Sequence, residues 1–539
     1  MVEEVPAQRP NVWVRWCLYI TCFAAVAGFR YLSLGNGFSN DHFVYITGGW
    51  QMQFGEWPTR DWVDGGAPLM VFASAAAQAI VGPTLLAEAL LVAGAFGLGA
   101  VLTSAAVLSL TGSISLAIVS TMLEVAVVPR TYGYPKMLVY AAAFVCMFRY
   151  VSRPSSMRIA AMSAAVVVAF LFRHDHGLFL GIGAVIAVLM IDSKHPMPWP
   201  RRIAVFGLTT FVLVLPYLIY VQTYEGLARH FNIGLGFSRT EFSNQWHAWP
   251  AVFGDAAPFA SALVYEYYAL PGLAIAVLIA LRRHPHIRQW ASQILPVIVV
   301  AMMMNYTFIR EPLAVRLPDA IVPAVVLAAW LIHRARHLIH FRVMIAGLTA
   351  AGVALFSASV LEAGRTIEVL NRANLLHEWQ RMPEYFRDVT HDLQARMAAR
   401  QVPSRSSASL RPFYAYLDRC TTTEHRLLVG GFLVEVPFLA QRRFAGGQRY
   451  FGGSYGFDDE AERQALNRLA GQVVPFALIT SDYLQKFEVA FPAISAHLRS
   501  RYATLTNVRV TDDLDVHIFV DRSLTPSGRD PETGWPCFR

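Results

Sequence analysis

Apolar and polar stretches alternate along the first two thirds of the chain. Apolar runs fall at about 14–29, 67–82, 84–109, 113–128, 137–150, 157–171, 177–191, 203–222, 257–281, 291–308, 318–332 and 343–361. Between them lie loops carrying arginine, aspartate and proline. The runs at 177–191 and 291–308 contain no formally charged residue, and in hydrocarbon only a helix satisfies such a backbone internally. The first run lacks a small-residue cleavage site and further apolar runs follow it, so it reads as a spanning helix and not as a removable signal.

Basic residues recur at every second loop: Arg149, Arg153 and Arg158; Lys194, Arg201 and Arg202; Arg282, Arg283 and Arg288; Arg334, Arg336 and Arg342. Lysine and arginine are retained on the cytoplasmic side, which places these loops inside. Residues 173–176, 223–256, 306–317 and everything after about 362 are then outside. Five runs precede the first basic loop, where an even number is needed. One run between 67 and 128 is therefore expected to be half-inserted, merged or split, and the total to be odd, roughly 11 or 13.

After residue 362 the pattern changes. Residues 364–400 have helical spacing and read as a connecting helix, and 403–409 as a linker. Arg426 to Phe432, Val473 to Thr480 and Val516 to Val520 read as short buried strands, with helical spacing at 458–471 and 484–500 between them. The expected organisation is a membrane domain over 1–362, a connecting helix and linker over 363–408, and a soluble α/β domain over 409–539 on the outer side.

Composition agrees with a membrane protein. Charged residues make up 15% of the chain, hydrophobic residues 55%, and the mean hydropathy is +0.40, against about a quarter charged in ordinary soluble proteins. The net charge of +8 is no nucleic-acid signal, because the basic residues cluster in short loops between runs. Of five cysteines, Cys17, Cys22 and Cys146 lie in apolar runs. An oxidising outer compartment permits a bridge between Cys420 and Cys537.

The first outer loop holds the densest candidate chemistry: Asp41 beside His42, then Glu56, Arg60, Asp61 and Asp64 among Trp57, Trp62 and other aromatic residues. A carboxylate there would serve as a base toward a hydroxyl nucleophile or as a metal ligand; the plain alternative is an acidic, wet loop. Arg130, Lys136, Arg173, Arg310 and Arg316 are the outer-side cations under this orientation, suited to phosphate oxygens. Their plain alternative is contact with lipid headgroups, or for Arg310 and Arg316 pairing with Glu311 and Asp319. His174, Asp175 and His176, with His42 near Asp41, invite a divalent-metal reading, but no closed ligand set stands at convincing spacing, so no metal or other cofactor is expected.

Asp41 after the first run, Arg60-Asp61-Trp62 followed by Gly66-Ala67-Pro68, Pro135-Lys136, Arg173 to Gly177, and Arg310-Glu311-Pro312 through Arg316-Leu317-Pro318 together resemble the GT-C integral-membrane glycosyltransferases. That superfamily includes the protein mannosyltransferases and the lipid A aminoarabinose transferases. The resemblance implies a polytopic helical enzyme, and the compact loops favour a bacterial inner membrane as its place. It would take a sugar from a polyprenyl-phosphate donor and pass it to a periplasmic glycan, lipid or protein by one inverting displacement. It puts the acidic residue of the first loop, here Asp41, in the catalytic position, and leaves Arg60, Asp61, Asp64, Arg130, Lys136, Arg173, Asp175, Arg310 and Arg316 to bind substrate. Two other classes remain open: a transporter or flippase of lipid-linked sugars, and a membrane scaffold displaying the outer domain. The first would commonly show paired halves, and no internal repeat is found.

Overall fold

The structure is a computed structural model that describes residues 11–191, 197–244, 249–251, 258–308, 314–335, 342–372, 379–395, 408–452, 458–511 and 514–539. Helices coincide with the apolar runs: α1 (Val12–Ser33), α3 (Pro68–Val81), α4 (Leu85–Thr111), α5 (Ile114–Ala126), α6 (Tyr134–Ser152), α7 (Ser156–Phe172), α8 (His174–Leu189), α9 (Trp199–Tyr224), α11 (Pro258–Ala280), α12 (Ile287–Phe308), α13 (Ile321–Ala335) and α14 (Arg342–Ala363). Two more, α2 (Phe43–Met52) and α10 (Leu227–Asn244), occupy stretches read as outer loop. The expected connecting helix over 364–400 falls partly outside the described residues. Those described carry α15 (Thr366–Arg372), a 3-10 turn at Trp379–Arg381 and α16 (Met382–Gln394).

Local chemistry sets several ends. Pro68 opens α3, and Gly82, at φ +105°, lets the chain leave it. Ser113 and Ser155 cap α5 and α7 by accepting the N–H of Leu116 and Arg158. Among the described residues seven spans are long and apolar enough to cross a membrane, and α3, α5, α7 and α8 are shorter apolar helices. The chain is a multi-pass membrane protein. At about 1.5 Å per residue, the 14 residues of α3 and the 13 of α5 fall short of a hydrocarbon core of about 30 Å. Both lie in the region where the loop charges demanded an irregular segment.

The chain divides into two compact units. The helical unit comprises residues 1–33, 92–219 and 245–382. In it α8 packs on α7 and α12, α11 on α14, and α13 touches α5, α6, α11 and α12. Trp330 of α13 and Tyr140, Phe144 and Phe148 of α6 are fully buried there. On α9 and α14 the large side chains Leu208, Phe211 and Leu348 point outward, as a lipid-facing surface requires.

The mixed unit comprises residues 34–91, 220–244 and 383–539. It contains α2, α3, α10, α16, α17 (Arg411–Cys420), α18 (Val436–Leu439), α19 (Asp459–Ala470), α20 (Leu484–Ala490) and α21 (Pro492–Arg501). Its five-stranded sheet is built from β1 (Arg426–Gly430), β2 (Arg443–Phe444), β3 (Phe476–Thr480), β4 (Tyr502–Thr511) and β5 (Leu514–Asp521) in the order β2-β1-β3-β5-β4. β1 is parallel to β2 and β3, whereas β5 is antiparallel to β3 and β4. β1 and β3 are buried along their whole length, which explains the apolar runs Leu427–Val429 and Phe476–Ile479 within them. A small ribbon of β6 (Gly528–Arg529) and β7 (Pro536–Cys537) returns to α17, where Cys537 is bridged to Cys420.

Candidate functional site

In the mixed unit, a 3-10 turn at Asn40–His42 leads into α2 and carries Asp41, which is half-buried. Its neighbour His42 is 1% exposed, and its Nε2–H donates to Glu88 Oε2 of α4 at 3.2 Å. The other oxygen of Glu88 accepts from Ser74 of α3, and Gln78 Nε2 donates to Ser74 Oγ at 3.1 Å and to the Ile46 carbonyl at 3.0 Å. On the opposite flank, Asn40 Nδ2 donates to the Phe432 carbonyl at 3.3 Å. Thr47 donates to the Val434 carbonyl at 2.7 Å and Arg449 to the Val44 carbonyl at 3.1 Å. Phe438 of α18 packs against Phe43 and Trp50. The turn bearing Asp41 is thus held between α3–α4 and the segment 432–449.

The other acids of this loop have different employment. Asp61 accepts the Trp57 N–H at 2.7 Å and pairs with Arg60 at 2.7 Å, so both shape their own turn; that pair is about one third exposed and worth little energetically. Glu56 receives Arg426 of β1 and Arg443 of β2, the latter at 3.4 Å. Asp64 is buried, and one of its oxygens has no hydrogen-bond partner among the described residues. Burial raises its carboxyl pKa; Arg449 and His230 nearby and the Ala67 N–H oppose the rise. His230 in turn pairs with Glu225 at 2.6 Å.

The helical unit gathers the cations. Lys136, in the first turn of α6, forms a buried ion pair with Asp319, which sits on a 3-10 turn leading into α13. Arg173 pairs with Asp175 at 2.9 Å at the head of α8, and Lys136 and Asp319 both lie within the electrostatic reach of Arg173. Arg130 also acts on Asp319 and lies 4.8 Å from the Tyr132 ring centre. Three cations therefore face two carboxylates. Of these, Lys136 and Asp319 are buried, whereas the Arg173–Asp175 pair is half-exposed; a charge buried in a membrane helix bundle is costly unless paired, and where it persists it marks function.

The two histidines beside Asp175 turn to different partners. His176 Nδ1 shares a hydrogen bond of 2.7 Å with the Tyr140 hydroxyl, and His174 Nε2 one of 3.1 Å with the Tyr217 hydroxyl. Among the described residues no group of three or more His, Cys, Asp or Glu side chains is gathered as a metal ion would need. Arg310 lies outside the described residues, and the side chain of Arg316 does too.

No family model and no curated protein matches the sequence. Among solved structures, ArnT from Cupriavidus metallidurans in the apo state is similar over 94% of this chain and 98% of that chain, at 16% identity and a TM-score of 0.50. The fold is GT-C-like. At this identity the likeness is one of architecture, and the site residues of this chain stand on their own geometry.

Sequence reading missed Glu88 and the Lys136–Asp319 pair. A signal for the first was available: Glu88 is the one charged residue between Leu85 and Thr111. A lone acid in such a run needs a partner, although the run does not say which.

Proposed function

We propose that this protein is a glycosyltransferase that moves a sugar from a polyprenyl-phosphate donor to a hydroxyl of a glycan, lipid or protein on the periplasmic side of a bacterial inner membrane. The acceptor oxygen attacks the anomeric carbon as the bond from that carbon to the phosphate oxygen breaks. Configuration inverts, polyprenyl phosphate leaves, and the acceptor proton passes to the Asp41 carboxylate. Arg130, Lys136 and Arg173 take the phosphate end of the donor, with Asp175 orienting Arg173. Arg310 and Arg316 belong to the same role, and Arg60, Asp61 and Asp64 line the acceptor side. In this reading residues 1–362 form the transferase domain, 363–408 a connector, and 409–539 a domain over the acceptor approach.

The observation that carries the proposal is the placement of Asp41: a half-buried carboxylate on a turn braced from both flanks, in a chain of GT-C-like fold. The test uses sugar-labelled lipids extracted from the host membrane. The purified protein in nanodiscs should release polyprenyl phosphate in step with labelled acceptor. Movement of intact donor across a vesicle membrane without release would favour a flippase. For sidedness, alkaline phosphatase fused at Ser409 should be active and at Arg153 inactive; the reverse would overturn the periplasmic assignment.

A further inference from the structure

The turn Asn40–His42 is a 3-10 turn, in which successive side chains leave the axis about 120° apart. Three consecutive residues therefore point in three directions, and fixing two directions sets the third. Asn40 is tied to the Phe432 carbonyl, and His42 is tied to Glu88 by a buried contact. The inner tie is the stiffer of the two. Glu88 is fully buried, and both of its oxygens are occupied, by His42 and by Ser74, which is itself held by Gln78. The α2–α3 contact behind it has no slack, because a Cβ on Gly49 would come 2.8 Å from both the Ala75 nitrogen and Ser74 Oγ. His42 and Ser74 face Glu88 from two different elements, so neither can shift alone.

From this arrangement we infer that Glu88 is a positioning residue for Asp41: through His42 it fixes the direction in which the Asp41 carboxylate leaves the turn, and Asn40 supplies the second anchor. The inference rests on the reading of Asp41 as the base. Misplacing a reacting group by about 1 Å costs on the order of a hundredfold in rate, whereas binding of a donor held elsewhere is untouched.

The test compares Glu88→Ala, Glu88→Gln and Asn40→Ala with the parent in the full chain, using sugar-labelled lipids extracted from the host membrane and the thermal transition as a check of folding. Glu88→Ala is expected to lower kcat about ten- to a hundredfold with donor KM within about twofold. Glu88→Gln keeps the bond from His42 through its amide oxygen and replaces the Ser74 bond by one in which its NH2 donates to Ser74 Oγ, and it should recover kcat to within about threefold of the parent. Adding Asn40→Ala to Glu88→Ala should lower kcat further. A parent-like kcat in Glu88→Ala, a Gln variant no better than the Ala variant, or a loss that only follows the folded fraction would each overturn the inference. Asp41→Asn separates the two claims. If it transfers sugar normally, the reading of the base fails; if it is inactive while Glu88→Ala is normal, only the positioning role fails.

Discussion

The two units are held together by different means. The helical unit relies on helix packing and, among the described residues, on the Lys136–Asp319 ion pair buried between helices. The mixed unit has a hydrogen-bonded sheet, a disulfide, and carboxylates that bind separate pieces of chain, such as Glu56 to Arg426 and Arg443. The difference lies in what surrounds each. In hydrocarbon a charge has no alternative to its partner, so pairing is compulsory. Next to water a charge always has an alternative, so covalent closure and apolar burial carry more of the stability.

The largest effect should come from the covalent link. The Cys420–Cys537 bridge spans a sequence separation of 117 residues, and such a loop contributes roughly 4–5 kcal/mol in the chain-entropy model. Cys420→Ser should lower the thermal transition of the full chain. Thiol labelling of the denatured, unreduced parent should modify neither cysteine; modification of both would remove the contrast between the units.

Next in size is the buried pair. Asp319→Ala leaves Lys136 buried without its partner and should destabilise the protein by about 3–5 kcal/mol, visible as loss of monodisperse material in detergent. The double variant Lys136→Met with Asp319→Leu should recover much of that stability while transfer stays low. If transfer recovered as well, the pair would be structural and not a phosphate site.

Asp41→Asn should reduce transfer by at least about a hundredfold without changing the thermal transition, whereas Asp61→Asn should cost far less, because Asp61 serves its own turn. The opposite ranking would move the base to Asp61.

The smallest effects are in pH dependence, where two acids of the mixed unit should act with opposite sign. Arg419 holds the Asp530 carboxyl well below its ordinary range by hydrogen bonding. Asp530 therefore contributes stability at pH values above the unfolded carboxylate pKa of about 3.9, and that contribution is lost as pH falls through the depressed folded value. Burial instead raises Asp64, so its ionisation opposes folding as pH rises from about 4 through the raised folded value. Melting curves against pH should show Asp530→Asn least stable relative to the parent near neutrality, and Asp64→Asn more stable than the parent there. Parallel curves would mean that neither group differs between folded and unfolded states.

The helices were legible because burial in lipid demands long, unbroken apolar runs; α4 and α9 stand within a few residues of the runs at 84–109 and 203–222. Helix α2 was not, since Phe43–Met52 is short and includes Gly48 and Gly49, which read as loop residues but allow close packing on α3. β4 was missed because its residues are mostly half-exposed and threonine-rich, so no apolar run marks it. At the site, residue types were readable and partnerships were not. Lys136 and Asp319 are separated by 183 positions, and Glu56 and Arg426 by 370, so only tertiary structure brings them together.

The mixed unit draws on residues 34–91, 220–244 and 383–539, so that 291 positions separate its first segment from its last. During synthesis, at about 5–20 residues per second, residues such as Glu56 and Thr47 wait on the order of 20–70 s before Arg426 and Val434 emerge. For that interval the first loop is an incomplete half-structure, with Gln51 and Asn40 still lacking the backbone groups they will bind. Assembly of this region is therefore a late, post-insertion event: the loop bearing Asp41 is made early and acquires its final shape only after the last helices have been threaded into the bilayer.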